Sequence, residues 1–287
     1  MTSSYIIDFR IRAPRLDERP REVSIEADIA PYARLYDLEE NERLTAEDLF
    51  KEMEANQVKG ILQAEYEGGT SREVNLRVAE LVARRPDLLL GGVASVDPRD
   101  PDALEELQWA HKELGLRGWV FQPGFLHVYP TDPRCFPLYA LCESEGHPVT
   151  IHTGINFSRS GPIEYGRPTL IDQIACTFPN LVLVCNHGGW PWVMETIAVL
   201  WKHEHVYADF GAIAPKYMAD PRGGWGPIAH WMNTQIREKV LLGTDWPMLH
   251  YKPLLAELPL LQLREAAYDA YVRGNAERLI ERIWGDR

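Results

Sequence analysis

Eight short apolar segments, each followed by a polar stretch with helical spacing, set the strongest limit on how this chain can fold. The segments are Tyr5–Arg10, Gly60–Ala64, Gly91–Val96, Gly118–Gln122, Val149–His152, Leu181–Asn186, Val206–Phe210 and Val240–Gly243. Short buried strands alternating with amphipathic helices predict a parallel sheet, and eight such units close into a (β/α)8 barrel of the α/β class. Helices are expected over Ala46–Asn56, Arg72–Arg85, Asp102–Leu114, Arg134–Gly146, Leu170–Thr177, Trp192–Lys202 and Gly226–Thr234, with Tyr271–Arg287 as the closing helix. Thr45 with Asp48, and Thr70 with Glu73, have the spacing of reciprocal helix caps, and Gly115 and Gly146 stand where helices should stop. The 287 residues fit a single domain over 1–287, since barrels run to about 250 residues as one unit. One strand-to-helix connection, at about 14–44, is long, polar and acidic. It reads as a lid, an oligomer contact or a surface excursion.

Bulk properties exclude several partners. A net charge of −12 opposes nucleic-acid binding, which calls for a basic face. No run of about 18 apolar residues is available to span a membrane. Met1 runs directly into Thr-Ser-Ser-Tyr-Ile-Ile-Asp, without the basic stretch and long apolar core of a secretory signal. Cys135, Cys142, Cys176 and Cys185 show no C-x-x-C spacing and read as buried thiols of a reducing compartment, so a cytoplasmic location is expected.

Barrels place their reactive groups at the C-terminal ends of strands and in the loops that follow. That rule selects Arg10, Arg12, Glu65, Asp97, Gln122, His152, His187, Asp209 and Asp245. Three segments carry most of the signal: Pro148-Val-Thr-Ile-His152-Thr-Gly154, Leu181-Val-Leu-Val-Cys-Asn-His187-Gly-Gly-Trp-Pro-Trp192, and Val240-Leu-Leu-Gly-Thr-Asp245-Trp-Pro247. A single histidine ending a strand is more often structural than catalytic, but three polar groups at strand ends are hard to assign to coincidence. The glycine pair after His187 is expected to let backbone approach a ligand closely.

In order and spacing these segments resemble the amidohydrolase family that contains the aminocarboxymuconate-semialdehyde and resorcylate decarboxylases. Gly274-Asn-Ala-Glu-Arg-Leu279 resembles that family's closing helix, so the likeness runs from Ile6 to the C-terminus. The departure is in the first strand. The family opens with Ile-Asp-x-His-x-His, whose histidines bind metal, and this chain reads Ile7-Asp8-Phe9-Arg10-Ile11-Arg12. A guanidinium has no lone pair to donate and does not deprotonate. Two guanidiniums about 5 Å from a divalent ion would repel it by roughly 13 kcal/mol at an effective dielectric near 20.

The resemblance therefore implies Asp245, His187 and His152 as catalytic residues acting without metal, in the manner of a lactonase. The alternative is a zinc or manganese ion on His152, His187 and Asp245 supporting decarboxylation of an aromatic or muconate-type acid. A third reading is a non-catalytic barrel that binds a small acid.

Strand alternation puts Asp8, Arg10 and Arg12 on one side. There the arginines either pair with Asp8, Glu65 or Asp245 in a structural network or fork onto a substrate carboxylate. Gln122, Asn156 and Trp190 are further candidates for contact with a small carboxylate or lactone. Asp209 suits a partner for His187. Asp97 reads as a turn residue and Glu65 and Glu67 as solvent-facing loop carboxylates, while Trp190, Trp192 and Trp246 suggest an aromatic wall that barrel packing would equally explain. A homodimer is implied by resemblance only.

Overall fold

The computed structural model describes residues 5–14, 16, 33, 34, 41, 43–65 and 70–285. Most of the 14–44 connection, and Glu67, lie outside the described residues. Eight parallel strands run in sequence order: β1 (Ile6–Arg12), β2 (Val58–Gln63), β3 (Leu89–Ser95), β4 (Trp119–Phe121), β5 (Pro148–His152), β6 (Val182–Asn186), β7 (Val206–Asp209) and β8 (Val240–Leu241). The two ends of the sheet meet through backbone bonds from Phe9 N to the Leu242 carbonyl (2.8 Å) and from Asp245 N to the Arg10 carbonyl (2.9 Å). The expected (β/α)8 barrel is the observed one.

The principal connecting helices are α1 (Ala46–Asn56), α2 (Ser71–Arg84), α3 (Ala103–Leu114), α4 (Phe136–Glu145), α5 (Pro168–Thr177), α6 (Val193–Lys202) and α7 (Ile228–Met232). The caps form as the spacing predicts. Glu73 N donates to Thr70 Oγ1 and Thr70 N to Glu73 Oε2, while Thr45 N donates to Asp48 Oδ2. Gly115 and Gly146 end α3 and α4 in the left-handed conformation.

The closing helix α8 (Asn275–Trp284) starts after a wide turn over Ala270–Gly274. It buries Ala276, Leu279, Ile283 and Trp284 against Ile7, Phe9, Ile61, Val93, Val120, Val184 and Leu241. Those side chains come from strands around the barrel, so α8 plugs its interior from the end where the strands begin. Catalytic groups are left to the opposite end.

One expectation about β1 fails. Its pairing with β2 is irregular between Asp8 and Ile11, and Phe9 joins the interior cluster with the closing helix while Ile11 joins the separate cluster that includes Leu49 and Leu62. An extra residue in a strand breaks the two-residue alternation of its side chains. Asp8 therefore does not join the arginines. It accepts from Thr244 Oγ1, from Tyr251 Oη at 3.0 Å, and from the backbone of Arg10 and Thr244. Desolvation, opposed by those hydrogen bonds, pushes its carboxyl up to about 7.

Candidate active site

The mouth of the barrel is organised by Arg10. Its guanidinium is buried, donates through Nε to Asp245 Oδ1 at 3.1 Å, and forks through Nη2 onto Glu65 Oε1. Glu65 also meets Arg12 Nε at 3.3 Å and accepts from Gln122 Nε2 at 3.0 Å. Glu65 is thus a buried hub and not the solvent-facing carboxylate expected from its loop position. Two cations at the end of one strand need carboxylate partners once water is removed, and the end of the neighbouring strand supplies one. That need was the signal by which the sequence pointed to Glu65.

His152, His187 and Asp245 come together here as their strand ends predict. The two imidazole rings lie 4.5 Å apart, and a phenyl edge from Phe125 closes on His152 at 5.6 Å. His152 Nε2 lies 3.2 Å from the Ile155 carbonyl, and His187 Nδ1 lies 2.7 Å from the Gly211 carbonyl. Each of those nitrogens must be a donor to be satisfied, which leaves lone pairs on His152 Nδ1 and His187 Nε2. Desolvation first, and the Arg10 charge second, lower His152 to about 4 and hold His187 well below the ordinary imidazole value. Both are neutral near pH 7. Desolvation would raise Asp245, but the charges of Arg10 and then Arg12 hold it below the usual carboxylate range.

His187 and Asp245 both adopt left-handed backbone, with φ of 59° and 56°. For residues other than glycine this stores about 1–3 kcal/mol each and clusters at functional sites.

Two buried polar atoms of this cluster, Arg10 Nη1 and His187 Nε2, have no hydrogen-bond partner among the described residues. Asn156 lies in the loop after β5, four residues past His152. Its Nδ2 donates to the Pro162 carbonyl at 3.2 Å and its buried Oδ1 is unsatisfied. Unpaired buried polar atoms are costly, about 1–3 kcal/mol each.

Other expectations change. Asp209 does not touch the His187 ring; it accepts from Asn186 Nδ2 and from the backbone of Gly211 and His187. The glycine pair meets a packing need, since a Cβ on Gly188 would strike Phe210 and one on Gly189 would strike Thr196. Trp246 is buried against the outer helices, its Nε1 3.4 Å from Glu52, so it forms no wall at the mouth. Trp190 is half-buried and donates to the Gly223 carbonyl at 3.1 Å. Asp97 is the expected turn residue, accepting from Arg99 N at 2.9 Å. Of the four free thiols, Cys176 is exposed and the other three are buried.

A divalent ion fits this arrangement poorly, for a reason different from bare repulsion. Glu65 and Asp245 neutralise the guanidiniums, so the repulsion expected from the sequence is largely offset. Crowding is the obstacle, because the Arg10 guanidinium already lies against Asp245 through Oδ1 and leaves only Oδ2 of that carboxylate for an ion. Among the described residues, groups of three ligand atoms within 4.8 Å of one another occur at two other places and not at the mouth. One of them, His111, Glu145 and His147, was not singled out in the sequence.

The neutral histidines set a pH dependence of stability. His152 has an ordinary value of 6.5 and a folded value of about 4, so between those limits the unfolded chain binds a proton that the folded chain refuses. Stability then rises with pH across the window and is lost as pH falls from 6.5 toward 4. Urea titrations of the wild type and of His152→Gln should show a shallower pH slope in the variant. Equal slopes would remove His152 as the source.

Residues 7–282 match the amidohydrolase family model. No curated protein matches the chain significantly. An uncharacterised TIM-barrel protein from Bordetella bronchiseptica is similar at 27% identity and a TM-score of 0.75, over 97% of this chain and 99% of that one. A probable 2-pyrone-4,6-dicarboxylic acid hydrolase from Acinetobacter baumannii, with citric acid bound, shares the fold at 14% identity, TM-score 0.66, over 96% and 99%. A dihydroxybenzoic acid decarboxylase from Polaromonas sp., with bound manganese and the inhibitor 2-nitroresorcinol, does so at 15% identity, TM-score 0.64, over 96% and 97%. No described helix is long and apolar enough to cross a membrane.

Proposed function

Taking as premise that the chain belongs to the amidohydrolase family, we propose that it is an enzyme hydrolysing a small carboxylated ring compound, such as a lactone, at the barrel mouth without a metal ion there. The observation that carries this reading is the buried Arg10, whose Nη1 has no partner among the described residues while Nε and Nη2 hold Asp245 and Glu65. A planar guanidinium forks onto a carboxylate with strong, directed hydrogen bonds.

Substrate binding then has a consequence for Asp245. Burial alone raises its carboxyl and Arg10 lowers it, so a substrate carboxylate that draws Arg10 away returns the proton affinity. Asp245 becomes a stronger base when the substrate arrives, and it can take a proton from a water attacking the ring carbonyl. His187 or His152, whose free ring nitrogens carry lone pairs, takes that proton on from Asp245 and passes it to the departing oxygen. Arg10 and Arg12 offset the negative charge that develops. Gln122, Asn156 and Trp190 complete the substrate contacts. The strained backbone at His187 and Asp245 supports a catalytic and not merely scaffolding role, and the free thiols agree with a reducing compartment. The bound citric acid and nitroresorcinol of the two fold relatives are small acidic or ring compounds, the same ligand chemistry.

The second reading is a metal-dependent decarboxylase. The lone pair of His187 Nε2, without a partner among the described residues, favours it, but the ion would have to share Asp245 with the Arg10 guanidinium. Carboxylated lactones and dihydroxybenzoates tested side by side, before and after chelation, separate the two. Ring opening that survives chelation is expected. Carbon dioxide release that disappears on chelation and returns with manganese or zinc would overturn the proposal.

A further inference from the structure

At the opposite end of the barrel, where the strands begin, three ligand-type side chains converge. His111 lies in the last turn of α3, Glu145 ends α4, and His147 immediately precedes β5. His111 Nδ1 is 2.6 Å from Glu145 Oε2, and His147 Nδ1 is 3.1 Å from the same oxygen and 3.3 Å from His111 Nδ1. The imidazole planes stand at 82° with centroids 4.6 Å apart.

A tetrahedral ion with nitrogen and oxygen ligands at about 2.0–2.1 Å keeps those ligand atoms roughly 3.3 Å apart. Two of the three separations already have about that value. The third is a hydrogen-bond length, and the Glu145 side chain, 36% exposed, has room to swing outward by the difference. Both histidine side chains are largely buried, at 4% and 11% exposure, so their positions are fixed by packing.

The outer nitrogen of His111 strengthens the case. Nε2 lies 3.1 Å from the Gly118 carbonyl and 3.2 Å from the Gly118 amide. With a proton on Nδ1, the Gly118 amide donates to Nε2 and Nδ1 donates to Glu145. With Nδ1 giving its lone pair to an ion, Nε2 donates to the Gly118 carbonyl, the kind of partner that metal-bound imidazoles usually have. One residue serves both tautomers. Gly118 has φ of +107°, and a Cβ there would strike the Pro148 carbonyl, so only glycine places this backbone against the ring.

We propose that His111, Glu145 and His147 form a structural site for a divalent ion of the zinc class, which ties the end of α3 to the junction of α4 and β5. Two imidazoles and one carboxylate suit zinc or cobalt; magnesium and calcium prefer all-oxygen sets. Solvent beside Glu145 supplies the fourth ligand. Binding displaces the Nδ1 proton of His111 to solvent, so affinity rises with pH. The other group of three, Asp172, Cys176 and His203, is weaker because the Lys202 ammonium already holds Asp172 at 2.6 Å. This proposal is independent of the chemistry assigned to the barrel mouth.

Metal-stripped full-length protein is titrated with zinc and, as a spectroscopic probe, cobalt(II), followed by calorimetry, visible absorption and thermal melting. The expected result is one equivalent bound, a tetrahedral cobalt spectrum, a raised melting temperature and proton release. Changes to outer partners of metal ligands cost 10–100-fold in affinity, so Glu145→Ala, which removes a ligand itself, is expected to weaken binding by at least about 100-fold. The metal-free form of that variant should melt close to the wild type, since Glu145 is at the surface. His147→Gln should lose affinity likewise, whereas Cys176→Ala and His187→Gln should bind as the wild type does. Absence of binding, affinity unchanged in Glu145→Ala, or a loss that appears instead in Cys176→Ala or His187→Gln would overturn the assignment.

Discussion

Asp245→Asn is expected to lower the turnover number by about 10²–10⁴-fold, the usual worth of a general base, while leaving the barrel folded. Asparagine is nearly isosteric and tolerates left-handed backbone, so the φ of 56° and the bond from the residue 245 amide to the Arg10 carbonyl survive. Its amide oxygen still accepts from Arg10 Nε, which in the wild type lies 3.1 Å from Asp245. What disappears is the ability to take a proton from water. The two histidines do not replace it readily, because desolvation and the Arg10 charge already hold both in the neutral form, and losing the carboxylate lowers their proton affinity further. The Michaelis constant should change much less than the turnover number, since Arg10 is then freer to receive the substrate carboxylate. Steady-state kinetics beside a thermal melt make the distinction. A variant that keeps turnover within a few-fold of the wild type places the base elsewhere.

Arg10→Met should destabilise the fold by about 3–5 kcal/mol, because it strips the cation from a buried ion pair and leaves the carboxylates behind. Methionine fills much of the same volume, so the loss reads the charge and not a cavity. The pH dependence should change sign as well. In the wild type the Asp245 carboxyl is held below its ordinary 3.8, so its contribution is present above that value and is lost as pH falls below it. Without Arg10, burial dominates and raises the folded value, so the penalty appears as pH rises above 3.8. The variant should therefore gain stability on mild acidification where the wild type does not. Arg10→Lys should recover only part of the loss, since an ammonium does not reproduce the fork that spans Asp245 and Glu65. Urea unfolding at mildly acidic and neutral pH reads both effects. Wild-type stability in Arg10→Met would show that Glu65 and Asp245 do not depend on it.

Occupation of the mouth by Arg10 separates this chain from the metal-binding pattern its sequence resembles. The guanidinium stands among the groups that the sequence resemblance assigns to an ion, and like an ion it is a fixed positive charge beside Asp245. Unlike an ion it cannot bind and ionise a water, which directs the proposed chemistry toward an activated carbonyl that Asp245 can serve alone.

The sequence by itself determined the order and number of strands, the paired caps at Thr45 and Thr70, the stops at Gly115 and Gly146, and the gathering of His152, His187 and Asp245 at one end of the barrel. These are local or directional properties. Apolar periodicity defines an element, cap residues bond to backbone three positions away, and strand direction decides which end a terminal residue occupies.

Only the tertiary structure decided that Glu65 anchors both arginines, that Asp8 turns to Thr244 and Tyr251, that Trp246 is buried, and that the glycines after His187 make room for Phe210 and Thr196. It also brought His111 against Glu145 across 34 positions of sequence. Each of these depends on a strand irregularity, a rotamer or the closure of β8 on β1, and such contacts are chosen by packing and by the cost of leaving a buried charge unpaired, for which a linear pattern carries no register.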